Sequence, residues 1–287
     1  MGGGGYDSSS RMLRSKSMGY TTKSSTEIFS QRVINNAMSP YGIDIRESCD
    51  SDEHPNTVPI VVGLDVTGSM GSIPHDLVKN GLPTMMQTML DNGVADPQVL
   101  FLGIGDHECD SAPLQVGQFE SSDELLDAWL TKVYLEGGGG GNDGESYLLA
   151  WYFAARHTRI DSLDKRGKKG FLFTIGDEPT LKTIPERVIK EMMGTEQGSV
   201  ITADDILKQA MEKYNVFHLH VKETRSGQRG YVIDGWKQLM SDGLIEVERK
   251  EDIPRIIAET IIKYSDKTYV GPNSTEVTEL PKEDIIL

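Results

Sequence analysis

Cysteine is scarce, with only Cys49 and Cys109 in 287 residues, too few for a disulfide framework. No apolar run approaches the ~20 residues of a membrane-spanning helix. Basic residues are in deficit, 29 Lys and Arg against 44 Asp and Glu, for a formal net charge of −15. Nucleic-acid binders carry the opposite surplus to meet phosphates, and anionic membranes attract that same surplus. Neither partner fits this chain. Met1 and the four glycines after it lack the apolar core of a secretory signal. Tyr6 stands where an N-myristoylation signal needs Ser or Thr. A cytoplasmic protein is expected.

What the sequence does contain is alternation. Residues 1–25 are rich in Gly and Ser and poor in the apolar surface that offsets ordering entropy. Residues 26–38 have the spacing of a short helix, and a polar stretch follows, so 1–56 reads as an N-terminal extension. From there, continuous apolar runs at Val58–Leu64, Gln98–Ile104, Gly170–Ile175 and Val216–Val221 have the character of strands buried on both faces. A shorter strand fits Gln115–Phe119. Helical periodicity marks Pro74–Leu90 (kinked at Pro83), Asp123–Val133, Gly144–Arg156, Ile184–Met193, Ala203–Tyr214 and Ile253–Tyr264. Strands alternating with helices predict an α/β domain over 57–266, a mostly parallel sheet with helices on both faces. Residues 267–287 read as a polar tail.

In open α/β sheets, ligands sit beyond the carboxyl ends of the strands. That rule selects three loops. The first is Asp65-Val66-Thr67-Gly68-Ser69. The second is the glycine run Gly137–Gly141 with Asn142-Asp143-Gly144-Glu145-Ser146. The third is Gly176-Asp177-Glu178-Pro179. Asp65 and Asp177 offer charge, and Thr67 and Ser69 offer neutral hydroxyls. Mg²⁺ favours such oxygen sets, held by one or two carboxylates and completed by water. A metal not surrounded by carboxylates still attracts one more anion from outside.

The Asp-x-Thr-Gly-Ser loop after an apolar strand resembles the metal-ion-dependent adhesion site of von Willebrand factor A domains, and the similarity spans about residues 57–265. It implies a Rossmann-like sheet with one short antiparallel edge strand. It also implies metal ligands at Asp65, Thr67, Ser69 and Asp177, and Mg²⁺ (or Mn²⁺ or Ca²⁺) as the ion. Many members place a threonine in the second loop. None is present here, and Asp143, with Asn142 next, is the expected substitute. The resemblance to cytoplasmic bacterial and phage-type members implies a non-enzymatic interaction module. Its protein partner would supply an Asp or Glu carboxylate, and the module would work beside an AAA+ ATPase as an adaptor.

A second reading takes Asp65 as the nucleophile of a Mg²⁺-dependent phosphotransferase, since the same motif resembles the phosphorylation loop of P-type ATPases and the haloacid dehalogenase-like fold. Phosphatases of that fold need a second aspartate two positions on, where Thr67 stands. Asp143 also has a plain structural role open to it, capping the helix from Gly144. The run Asp106-His107-Glu108-Cys109-Asp110 fits no zinc spacing and is expected to be a solvated rim loop. His218 and His220 share one strand face and are expected to pack. Trp129, Trp151 and Trp236 are expected to fill core or interface rather than form a functional aromatic box.

Overall fold

A computed structural model of the chain describes residues 4–137, 142–196 and 198–265. The polar tail and most of the Gly137–Gly141 run lie outside the described residues. Of the strands, β1 (Arg46–Ser48) pairs with β5 (Thr158–Ile160), and β7 (Thr183–Ile184) pairs with β8 (Ile201–Thr202). The central sheet has six strands in the order β10-β9-β6-β2-β3-β4. These are β2 (Thr57–Asp65), β3 (Asp96–Ile104), β4 (Leu114–Val116), β6 (Gly170–Gly176), β9 (Tyr214–Val221) and β10 (Leu244–Val247). All pair in parallel except β4, a short antiparallel edge strand on β3. This is the expected Rossmann-like α/β architecture.

Both faces of the sheet are covered, so the strands are apolar on both sides. Ile60, Val62, Phe101, Phe173 and Leu219 point into one core with α4 (Leu82–Asp91), α5 (Asp123–Thr131) and α11 (Ile253–Ser265). Val61, Leu100, Leu172 and Val216 point into the other, with α6 (Tyr147–Arg156), α8 (Glu186–Met193), α9 (Ala203–Lys213) and α10 (Gly230–Met240). The order reverses beside β2, which lies between β6 and β3. The loop after Asp65 therefore sits at the switch point where such sheets place ligands.

Several elements differ from expectation. The segment around Pro83 is α3 (Ile73–Asp76), a π turn over Leu77–Gly81, then α4. Proline has no N–H to bond the preceding turn, and the wide turn falls just before it. The helix expected from Gly144 begins at Tyr147 behind Ser146, so Asp143 does not cap it. α10 and β10 have no counterpart in the sequence reading. In the N-terminal segment, the short helix expected over 26–38 is α2 (Ser25–Ile28) and a separate 3-10 turn at Asn36–Met38.

Most unlike the expectation is α1 (Ser8–Met18), a helix within the Gly/Ser-rich stretch. Asp7 caps it by accepting a bond from the Ser10 amide, and Gly19 ends it in the left-handed region at φ 71°. Its buried residue is Arg11, 1% exposed, whose Nε lies 2.9 Å from Oδ1 of Asp127, 2% exposed. Arg11 also donates to the Val78 carbonyl at 2.6 Å. Arg14 pairs with Asp123, and the Arg11 guanidinium lies over the Tyr20 ring at 5.2 Å. Burial pushes the Asp127 carboxyl up to about 6 even with both arginines beside it. Charge pairing, rather than apolar burial, docks the helix.

Arg11→Ala strands that carboxylate and is expected to cost about 3–5 kcal/mol, whereas Arg11→Met with Asp127→Leu recovers most of it. Urea unfolding measures both. Unchanged stability in Arg11→Ala would mean that α1 contributes nothing to the folded domain.

Candidate metal centre

β2 ends at Asp65, which is fully buried. The chain then turns back on this carboxylate. Asp65 Oδ1 accepts the Thr67 amide at 2.9 Å and the Thr67 hydroxyl at 2.7 Å. Its Oδ2 accepts the Tyr147 hydroxyl at 2.8 Å. The hydroxyls of Thr67 and Ser69 are 3.3 Å apart. Ser69 donates to Oδ1 of Asp177 at 2.8 Å, across 108 positions of sequence. Asp65, Thr67, Ser69 and Asp177 thus form one connected set of oxygens at the end of β2 and β6. It runs from a buried floor at Asp65 to an exposed Ser69.

The second loop also brings Glu145 to this end of the sheet. Glu145 is held by a bridge to the third loop: its amide donates to the Pro179 carbonyl, and its own carbonyl accepts from Leu181, both at 2.9 Å. This pins Glu145 in a cleft of about 500 Å³ that Thr67 and Ser69 also line. Asp143 is on the rim instead, 69% exposed and paired with Arg229 at 3.3 Å; it also accepts from Tyr231. Asn142 donates to Glu108 at 2.7 Å. Neither is hydrogen-bonded to the set around Asp65, and both line the same cleft as Glu145.

Behind the oxygens stands an aromatic block. Trp236 stacks on His218 at 3.6 Å, and Tyr147 meets the His218 and Trp236 rings edge-on at 5.0 and 5.5 Å. Tyr147 carries the bond to Asp65, and Trp236 Nε1 donates to the Glu178 carbonyl of the third loop at 3.0 Å. Gly176 makes room for this, since a Cβ there would fall 1.8 Å from the Tyr147 hydroxyl. His218 and His220 are both fully buried, and burial keeps each below the usual imidazole range and so neutral. They pack, as expected, and Trp236 does more than fill space.

The rim loop is also less solvated than expected. Asp106 is buried, and its Oδ1 accepts the Glu108 amide at 2.8 Å. Cys109 is exposed.

The electrostatics have one direction. Burial first, and neighbouring carboxylates second, raise Asp65 and Glu145 above the usual carboxylate range. Asp110 and Glu178 are raised as well, again chiefly by burial. Asp177 Oδ2 and Glu145 Oε2 are buried without a hydrogen-bond partner, which is costly unless something positive or protic meets them. Among the described residues, no three His, Cys, Asp or Glu side chains are set to hold an ion by themselves. Any cation site here must therefore draw on the hydroxyls. The residues present fit a hard divalent cation: Asp65, Thr67, Ser69 and Asp177, with Glu145 beside them, are all oxygen donors.

Among the described residues, no helix is long and apolar enough to cross a membrane. No protein-family model matches the sequence, and no curated protein matches it. Among solved structures, the chain is similar to the pilus adhesin SpaC from Lactobacillus rhamnosus GG in its open conformation. There the identity is 10%, the TM-score 0.48, and the match covers 75% of this chain and 31% of the adhesin. It is also similar to proximal thread matrix protein 1 from the mussel byssus, at 10% identity and TM-score 0.47, covering 76% of this chain and 49% of that one. A structure of the same byssus protein described as having a zinc-occupied MIDAS motif aligns at 11% identity and TM-score 0.45. The chain thus spans about a third of the adhesin and about half of the byssus protein.

Tyr147→Phe removes a donor to Asp65 Oδ2 while leaving the ring in place. It is expected to weaken Mg²⁺ or Mn²⁺ binding by about 10-fold or more, as for other outer-shell partners of metal ligands. Calorimetric titration reads the change. Equal affinity would remove Tyr147 from the account of the site.

Proposed function

We propose that this chain is a metal-dependent protein-interaction module in which Asp65, Thr67, Ser69 and Asp177 hold a divalent cation, Mg²⁺ by preference. The observation that carries the reading is the Ser69–Asp177 hydrogen bond of 2.8 Å, which closes the first and third loops onto each other around the buried Asp65. An all-oxygen donor set favours Mg²⁺, Mn²⁺ or Ca²⁺ over softer metals. When bound, the ion would supply a coordination position open to an Asp or Glu carboxylate from a partner. This chain's own part is to fix the donors, shield the floor from water and leave the Ser69 side exposed. Burial and neighbouring carboxylates hold the Glu145 carboxyl well above the usual range, so it limits the negative charge beside the donors until a cation favours its ionised form. A cytoplasmic setting and work beside an AAA+ ATPase belong to the same proposal and rest on the resemblance of the Asp65–Ser69 motif.

The phosphotransferase reading has less support. A nucleophilic Asp65 needs a free, accessible oxygen, yet both of its oxygens accept hydrogen bonds and the side chain is fully buried.

Three measurements test the proposal together. Saturating Mg²⁺ is expected to raise the melting temperature of the wild-type chain, equivalent to about 2.7 kcal/mol at a hundredfold excess over Kd. Ser69→Ala, a small change at an exposed position, is expected to reduce that gain, and Asp65→Ala to abolish it together with partner capture. Partner capture that survives EDTA would refute the proposal. A hydroxylamine-sensitive phosphoryl adduct on Asp65 after incubation with acyl phosphate or ATP would replace it with the enzymatic reading.

A further inference from the structure

The N-terminal segment reaches the candidate metal centre. α2 opens on a capping box in which Glu27 accepts bonds from the Ser24 amide and hydroxyl at 2.8 and 2.7 Å. Ile28 and Phe29 are buried in the same cluster as Val66, Met70 and Ile73, residues of the first loop and of α3. The carbonyl of Lys23 lies 3.1 Å from Nε2 of His75. With Arg11 and Asp127 fixing the chain upstream, the segment after Lys23 is held beside the metal loop by the burial of Ile28 and Phe29.

Past Phe29 the chain forms one side of a cavity of about 510 Å³, lined by Phe29, Gln31, Arg32, Val66, Thr67 and Gly68 among others. Thr67, Gly68 and Gly137 also line the acidic cleft, so the two cavities adjoin at the first loop. Their charge differs. The cleft carries Asp106, Asp110, Asp143, Glu145 and Glu178, with Arg229 at its edge. Among the described residues that line the flank built by the N-terminal segment there is no acid, and the one cation is Arg32. Arg32 is exposed, and no ion pair joins it to an acid among the described residues.

We propose that residues 24–32 form the second wall of the recognition cleft, and that Arg32 selects partners carrying a second carboxylate. This rests on the reading of the site as a carboxylate-binding metal centre. One partner carboxylate meets the centre at Thr67 and Ser69. The acidic flank repels the rest of an acidic segment, so that segment leaves over Gly68 toward Arg32. The planar guanidinium fork accommodates a carboxylate through two parallel bonds, which favours Asp or Glu over neutral side chains at that place. The partner is thus a doubly acidic peptide segment, and the N-terminal segment determines specificity.

The test uses a synthetic peptide array with one Asp fixed at the centre and the flanking positions varied. It is read with the labelled full-length chain in Mg²⁺ and again in EDTA. Wild type is expected to retain, in Mg²⁺ only, peptides with a second Asp or Glu at one preferred spacing. Arg32→Glu is expected to lose those peptides by about 10-fold or more and to prefer Lys or Arg at the same place. Arg32→Ala is expected to keep the central Asp requirement and lose the second preference. An Arg32→Glu protein that selects the same second position as wild type overturns the proposal while leaving the metal reading intact. Absence of any Mg²⁺-dependent retention by wild type removes the metal reading, and this proposal with it.

Discussion

Carboxylates crowd the carboxyl end of β2 and β6 in a setting too poor in water to tolerate them easily, and the local structure answers that constraint. Asp65 accepts three hydrogen bonds from Thr67 and Tyr147, which spreads its charge onto fixed donors. Asp177 receives one from Ser69 and keeps a second, unpaired oxygen, as does Glu145. Hydrogen-bond donors satisfy part of this negative charge, and the remainder is what a divalent ion would meet. The supports behind it follow from the same need. Tyr147 can reach Asp65 only because Gly176 has no side chain. Trp236, stacked on a neutral His218, ties the third loop to the aromatic layer.

Rigidity on one flank is matched by a borrowed wall on the other. The N-terminal segment contributes little apolar surface of its own, yet it is anchored by a buried ion pair and by the insertion of Ile28 and Phe29 beside the first loop. A buried pair of this kind adds modest net stability but strongly disfavours the undocked arrangement, because undocking leaves one charge buried alone. The result is that residues far from the sheet in sequence become neighbours of Thr67 and Gly68.

How much of this was legible beforehand depended on the kind of force involved. The four long parallel strands were plain because burial on both faces demands unbroken apolar runs, and β2, β3, β6 and β9 carry them. β10, with only four residues, two of them half-buried and one exposed, gives no such run. The helix α10 is interrupted by Gly235, which hides the period set by Val232, Trp236 and Met240. α1 was invisible for a deeper reason. Hydrophobic periodicity looks for apolar side chains, and the residue this helix buries is an arginine. At the site, Asp65, Thr67, Ser69 and Asp177 were readable from their places after buried strands. The placement of Glu145 was not, because the backbone bridge to Pro179 and Leu181 that pins it is a long-range contact with no local signature. Tyr147 was hidden likewise, as a helix residue with the look of plain core.

The account is most directly tested by locating the ion. Crystals of the wild-type chain grown with Mn²⁺, and anomalous diffraction recorded from them, should show a single strong site about 2.1 Å from oxygens of the Thr67–Ser69 loop, with at least one coordination position filled by solvent. An ion bound only at the Asp143 rim, or no ordered ion at millimolar Mn²⁺, would contradict it.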